Sequence, residues 1–435
     1  MFVMLACVAL GCAKLMAEPA EVTMPEGEEQ VMSFVSEQGV GGRIQLTIQA
    51  GDDLDIVGVM EMPETGTHYY TITEPEVLVY GTVTEFSAIY SSITTVDVTK
   101  MPTLETLDLF GNPITTIDLS NNANLIQLLI GGSKVETLDL KGCPKLQYLN
   151  INSAAVSSMD LTNSGELITV LARASKMKNW DLTGATALEV LDCSFVGLES
   201  INLEKATRLN QLACAGNNMQ ALDVAKCPNL LVLNCNKNNL TRLDLTKLPL
   251  LEELGCSNNL ITELDMSKCP NLFGLILNSN DICHKKMAVL ANSLPTVKGN
   301  PGYLVVVDQK DKNEKNVCSQ SNVAVMEGKN WAVLDYDGGS NFDGPGIPYE
   351  GCPDDQVSVM MDSMPEFVVY PTVASDCVYV EGLPEGAKIE LVNMQGAVVL
   401  SAGSNGAATR VETAALERGV YVLTAHGQSV RVVLK

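Results

Sequence analysis

The chain has 435 residues, enough for two to four domains. Its formal net charge of −24 and pI near 4.5 leave no basic face for nucleic acid or for an anionic membrane. The three histidines, His68, His284 and His426, fall in three separate parts, so no Ser–His–Asp or Cys–His set assembles within one part, and neither HExxH nor a phosphate loop occurs.

Residues 1–17, MFVMLACVALGCAKLMA, form an apolar run too short for a spanning helix, and they read as a signal-peptide core. No basic residue precedes the run. Two exits compete: cleavage after Ala17, which is preferred, and lipidation at Cys12, where ALGC is an imperfect lipobox. No later window is long and apolar enough for a transmembrane helix. Residues 18–82 contain RIQLTIQA, DLDIVGVM, HYYTITEP and EVLVYG, short strands set off by Gly, Pro and Asp. They predict an N-terminal β cap.

Residues 83–290 repeat. Leu104, Leu125, Leu146, Leu167, Leu188, Leu209, Leu230, Leu251 and Leu272 stand 21 residues apart without an indel, and Val83 extends the register backward. Three further apolar columns run in phase, three, five and ten residues downstream of the first. The local pattern LxxLxLxxNxL resembles the leucine-rich repeat, whose range of periods includes this one. The alternating L-x-L predicts a short half-buried strand. One such strand cannot bury its apolar side alone, so stacked coils about 4.8 Å apart are expected to share one core.

Each coil carries a second alternating piece, such as VETLDLK or LTRLDLT, read as a second short strand on the opposite, convex side. Its column of Asp118, Asp139, Asp160, Asp181, Asp223, Asp244 and Asp265, with Asn202 as exception, is expected to accept backbone N–H groups at the coil corner rather than form a metal ladder. Asn112, Asn217, Asn238, Asn259 and Asn280 are expected to satisfy backbone groups where the chain leaves the strand. Ser133, Ala154, Ser175 and Val196 depart from that column. Cys193, Cys214, Cys235 and Cys256 stack in a core column, and Cys143, Cys227 and Cys269 in another. Side chains on parallel strands run parallel, leaving Cβ atoms farther apart than a disulfide's ~3.8 Å. Buried free thiols are expected. Cys283, Cys318, Cys352 and Cys377 lie outside these columns, where a disulfide stays open.

Past Ile282 the period fails, and KKMAVLANSLP predicts a short helix closing the stack, with residues 291–343 as its C-terminal cap. Asp335, Asp337, Asn341 and Asp343 have the oxygen spacing of a calcium loop, but position twelve is Gly346 rather than a bidentate acid. Residues 344–365 form a Gly/Pro/Asp-rich linker containing Asp362-Ser363-Met364, a short O-glycosylation signal. Residues 366–435 read as short strands split by Gly at hairpin spacing, a small β-sandwich. Val369 to Pro371, Gly396, the series Leu416, Gly419, Tyr421, Leu423 and the final Lys435 closely resemble the C-terminal sorting domain of type IX secretion cargo. Thr372-Val373 replaces that family's usual Asn-Pro. The resemblance implies export across both membranes of a Gram-negative bacterium, removal of the domain, and attachment to surface lipopolysaccharide.

The expected fold class is therefore mainly β: a leucine-rich repeat solenoid of 21-residue coils, an N-terminal β cap and a C-terminal β-sandwich. The resemblance to internalin-like adhesins implies a secreted, cell-surface binding protein whose concave strand face meets a protein or glycan on a host or neighbouring cell. The outward pattern nominates Phe110, Leu129, Tyr148, Asn150, Leu171, Arg173, Asp192, Phe195, Asn234 and Asn236 as partner-binding residues. No catalytic residue, cofactor or metal is expected. A self-associating surface or biofilm component is the alternative.

Overall fold

The computed structural model describes residues 30–339, 346–354, 367–371, 373–374, 376–393, 397–406, 408–425 and 428–435. The apolar run at 1–17, the Asp362-Ser363-Met364 signal, Asn341, Asp343, Gly396 and His426 lie outside them. Contacts divide the chain into two units, Met1–Gly351 and Cys352–Lys435.

The L-x-L motif forms the expected strand in every coil of the first unit. Strands Thr106–Asp108, Gln127–Leu129, Tyr148–Asn150, Thr169–Leu171, Val190–Asp192, Gln211–Ala213, Val232–Asn234, Glu253–Gly255 and Gly274–Ile276 pair parallel, in chain order. The 21-residue register is kept throughout: Thr106 faces Gln127, Tyr148 faces Thr169, and Glu253 faces Gly274. No member of the four apolar columns is more than 2 % exposed. Each buried Leu or Ile contributes about 1.5–3 kcal/mol relative to exposure, so the columns carry the stack. This is a leucine-rich repeat solenoid.

At the N-terminal end, Val83–Ser87 takes its place one step before Thr106–Asp108 in the same parallel ladder. Its other edge is covered antiparallel by Arg43–Ala50, which in turn pairs with Gly66–Thr71. A second antiparallel sheet holds Asp55–Val57, Val77–Tyr80, Val31–Ser36 and Ile93–Lys100 in that order. Phe34 and Phe86 bring the two sheets together at 5.8 Å between ring centroids. This β cap and the coils share one continuous core.

At the other end the stack continues where the sequence period stops. Gly274 faces Tyr303 and Gly302 faces Trp331, so two coils of 29 residues follow the 21-residue ones. Their extra length is helical. The expected helix forms as α1 (His284–Ser293), with Met287, Leu290 and Ala291 on its buried side. It stops at Leu294, before Pro295. A second helix, α2 (Gln320–Glu327), starts from a capping box between Ser319 and Asn322. α1 therefore backs a further coil instead of ending the stack. Trp331 fills the last coil, its Nε1 donating to Pro295 O at 2.9 Å.

The coil corners follow the expected chemistry. Asp118, Asp139, Asp160, Asp181, Asp223, Asp244 and Asp265 each accept the backbone N–H two residues on, at 2.8–3.0 Å. Asn202 does the same through its amide oxygen. The Ser120 and Thr246 N–H groups hold the carboxyls of Asp118 and Asp244 below the usual carboxylate range, and the Thr162 and Thr183 hydroxyls, then their N–H groups, do the same for Asp160 and Asp181. The second strand is restricted: among the described 21-residue coils only Thr137–Asp139 and Ser158–Asp160 pair there.

The asparagine column is a hydrogen-bonded ladder. Nδ2 of Asn238 donates to Cys235 O in its own coil and to Cys214 O in the preceding one, while Oδ1 accepts from Met219 N. Asn112, Asn217, Asn259 and Asn280 repeat this arrangement. Asn316 extends it into the second long coil, donating to Leu277 O in the preceding coil and Val306 O in its own. Where the column lapses, Ser133, Ala154 and Ser175 close the turn by donating their own N–H to the carbonyl three residues back. Val196 instead borrows Oδ1 of Asn217 from the next coil. The Ser133 hydroxyl is left buried without a partner.

The cysteines Cys143, Cys193, Cys214, Cys227, Cys235, Cys256 and Cys269 are buried free thiols. Cys283 and Cys377 carry free thiols as well. Burial pushes the Cys235 thiol up to about 12, and those of Cys193, Cys214 and Cys256 well above their ordinary value.

The second unit builds two sheets around its own core. One holds Val368–Tyr370, Cys377–Glu381 and Thr409–Glu412. The other orders Val373–Ala374, Gln428–Leu434, Gly419–Ala425, Lys388–Asn393 and Val398–Gly403. Val378, Val380, Ile389, Leu391, Leu423 and Val432 are fully buried between them.

Two predictions follow from the ladders. Asn238→Ala strands buried carbonyls and an N–H, and should cost about 1–3 kcal/mol in urea unfolding, whereas Ser133→Asn should stabilise by restoring a rung. The column thiols should resist a thiol reagent until denaturant is added. Their raised values mean the folded state keeps protons that the unfolded state releases above its ordinary thiol value of 9.0, so stability should fall as pH rises from 9.0 towards about 12.

Candidate functional site

Alternation along each strand decides what faces outward. The third and fifth residues after each first-column Leu point into the core, so the second and fourth point out. The sixth and seventh follow at the strand exit. The seventh has positive φ in all nine coils: Gly111, Gly132, Ser153, Ala174, Phe195, Gly216, Lys237, Asn258 and Ser279. Tyr90 occupies the same place in the coil before them, with φ 49°. A left-handed backbone is uncommon for a non-glycine residue, and an aromatic one there is a marked outlier.

The aromatic residues of this face sit on glycines of the adjoining coil. A Cβ at Gly111 would overlap the Tyr90 ring, and one at Gly216 would overlap the Phe195 ring. A Cβ at Gly131 would lie 2.5 Å from the Phe110 ring, and one at Gly274 would lie 2.5 Å from the Tyr303 ring. Tyr90 and Phe110 meet edge to face at 5.7 Å. The Arg173 guanidinium lies 4.3 Å above the Phe195 ring, a cation–π contact. Tyr90 is 69 % exposed and Phe195 42 %, so each seat presents a ring to solvent.

The nominated residues thus fall into three groups. Phe110 with Tyr90, and Phe195 with Arg173, make two aromatic clusters at the strand exits. They lie four coils apart, about 19 Å at ~4.8 Å per strand. Leu129, Tyr148 and Leu171 are half-buried on the strands between. Asn150, Asp192 and Asn234 each accept the N–H two residues on, at 2.9–3.2 Å, and so shape the strand exit. Asn236 accepts from the N–H and hydroxyl of Ser257 in the next coil. Tyr90 and Tyr303 were not nominated. The signal for Tyr90, Phe110 and Phe195 was an aromatic residue with glycine 21 positions later; Tyr303 lies past the change of period.

Charge is sparse on this face. Among the second, fourth, sixth and seventh positions from Val83 to Ser279, Glu85, Asp108, Asp192 and Glu253 are acidic and Arg173 and Lys237 basic. The chain's acidity lies elsewhere, the convex Asp column included. Among the described residues no group of three His, Cys, Asp or Glu could hold a metal ion. In the sequence's calcium-like loop, Asp335 accepts from Gln309 N and Asp337 N, and Asp337 pairs with Lys310 at 2.8 Å.

Residues 368–435 match the secretion system C-terminal sorting domain. No curated protein matches the chain in sequence. Among solved structures, the chain is similar to a leucine-rich repeat protein of Leptospira interrogans, at 17% identity over 53% of this chain and 60% of that one, TM-score 0.44. It is also similar to the functional domain of InlJ from Listeria monocytogenes, described as including a cysteine ladder, at 18% identity over 84% of this chain and 94% of that one, TM-score 0.42. YopM from Yersinia enterocolitica is 28% identical over 42% of this chain and 39% of that one, TM-score 0.38. By its own repeat and strand register the chain folds as a leucine-rich repeat solenoid, followed by the matched sorting domain. Among the described residues no helix is long and apolar enough to cross a membrane.

If the seats position the rings, Gly131→Ala should push Phe110 aside and destabilise by about 1–3 kcal/mol. Adding Phe110→Ala should recover only part of that loss, because a Cβ at residue 131 would also lie 2.9 Å from Asn152 O. A double-mutant cycle by denaturant unfolding measures the coupling.

Proposed function

We propose that this chain is a cell-surface binding protein of a Gram-negative bacterium, exported through its sorting domain, which offers the strand face of the solenoid to a protein or glycan on another cell. The observation that carries the reading is the pair of aromatic clusters held on glycine seats. Rigid, part-exposed rings beside a guanidinium are the composition of interface anchors. The turn makes this position left-handed in every coil, but it does not call for a bulky ring there, as at Tyr90 and Phe195. The remaining nominated residues, Leu129, Tyr148, Asn150, Leu171, Asp192, Asn234 and Asn236, form the wall between and beside the clusters. Attachment to surface lipopolysaccharide after removal of the sorting domain completes the proposal.

Replacing Phe110, Tyr148 and Phe195 together by Ala should reduce binding of the labelled full-length chain to target cells at least tenfold, with the unfolding midpoint of the second unit unchanged. Equal binding by the triple variant would move the site off this face. Growth of the scattering mass with concentration in the wild type, abolished by the same changes, would instead support self-association.

A further inference from the structure

We propose that the strand face binds a neutral, extended, β-linked polysaccharide laid along the stack, every second sugar in step with every second coil. This rests on the reading of that face as the binding surface.

The observation is an alternation that the 21-residue repeat does not contain. At each strand exit, the N–H of the sixth position needs an acceptor. In one set of coils the residue two before it supplies one: Asp108 for Phe110, Asn150 for Asn152, Asp192 for Ser194, Asn234 for Asn236. In the coils between, the acceptor comes from the preceding coil: Asn152 Oδ1 for Arg173, Ser194 Oγ for Ala215, Asn236 Oδ1 for Ser257. The central outward residue of those coils is thereby released from any polar duty, and it is Leu171, Ala213 or Gly255; Leu129 continues the same order in the sequence, without a cap from Phe110. The wall is thus ribbed, polar then apolar or small, with a true period of two coils, about 9.6 Å at ~4.8 Å per strand.

The polar ribs keep unused hydrogen-bonding capacity. The amide nitrogens of Asn150 and Asn234 and the second oxygen of Asp192 make no hydrogen bond among the described residues. An extended pyranose chain advances by roughly one strand spacing per ring. Successive rings are turned over, so the same hydroxyl-bearing edge returns to one side at every second ring. That is the complement of these ribs. An extended peptide repeats its like side chains every ~6.8 Å and falls out of step within two coils. A polyproline helix, turning every ~9.3 Å, stays in step and offers carbonyls to the Asn amides, but proline has no N–H for the free oxygen of Asp192, whereas a hydroxyl serves both. The near-neutral face in a chain of net charge −24 selects an uncharged polymer over an ionic one.

The test is calorimetric titration of the full-length chain with β-1,4-linked gluco-, manno- and xylo-oligosaccharides of two, four and six rings. Polygalacturonate and decaproline serve as comparators. At least one neutral series should bind, at least tenfold more tightly as hexamer than as dimer. Leu129→Asn with Leu171→Asn, both at half-buried outward positions, erases the ribbing and should weaken the hexamer at least tenfold at an unchanged melting temperature. Leu171→Asn alone should act in the same direction should the pair melt early. Silence from every neutral series, or binding of decaproline or polygalacturonate alone, overturns the inference. If the sugars are silent while the triple aromatic variant still loses its cell-surface partner, only this inference falls. If the hexamer binds wild type and ribbing variants equally, the sugar sits elsewhere, and the face reading falls with it.

Discussion

A three-residue strand buries its apolar side only when another strand lies beside it, and here that neighbour is the same strand 21 residues on. Like therefore stacks on like down the molecule. Every side chain faces its own equivalent about one strand spacing away, and each residue type must tolerate that company. Leucine columns gain from it, since apolar atoms pack without orientation. Asparagine columns gain too, because an amide can give to one coil and take from another. Aspartate does not, and its column persists because each carboxylate accepts its own corner N–H. Cysteine is the neutral case, a small apolar group whose parallel neighbours cannot reach bonding geometry.

This rule also explains how much could be read beforehand. The core columns, the corner aspartates, the free thiols and the asparagine rungs were legible because each depends on a residue type recurring at one offset. What escaped depends on relations between offsets or on a changed period. The pairing of an aromatic with glycine in the adjoining coil links two columns that each look irregular. The two-coil alternation of caps is hidden because Asp, Asn and Ser substitute for one another as acceptors. Asn316 stands 36 residues after Asn280, so α1 conceals that the rung is the same. The second strand was over-read: alternation shows which residues face inward, and that alone does not make neighbouring segments pair.

The N-terminal cap and the long C-terminal coils solve one problem in two ways. A stack of identical coils leaves a bare strand edge and bare core at each end. The N-terminal side turns the ladder antiparallel through Arg43–Ala50 and shields the first coil with Phe34 and Phe86. The C-terminal side lengthens the coil and sets α1 and α2 where corner turns had been. Between these ends the strand face is repeated backbone with free choice of outward residue, which is why recognition concentrates there in this reading.

The lapse of the asparagine rungs through Ser133, Ala154, Ser175 and Val196 has a mechanical consequence. A molecule tethered by one end and gripped by a partner is pulled along its stack, and neighbouring coils bear that load in series. Those coils lack the cross-coil asparagine bonds, and past the paired Thr137–Asp139 and Ser158–Asp160 no second ladder replaces them among the described residues, so tension should open the array first between the coils of Tyr148 and Asp192. That seam runs between the two aromatic clusters, and a tug strong enough to part it would separate them and loosen a ligand that spans both.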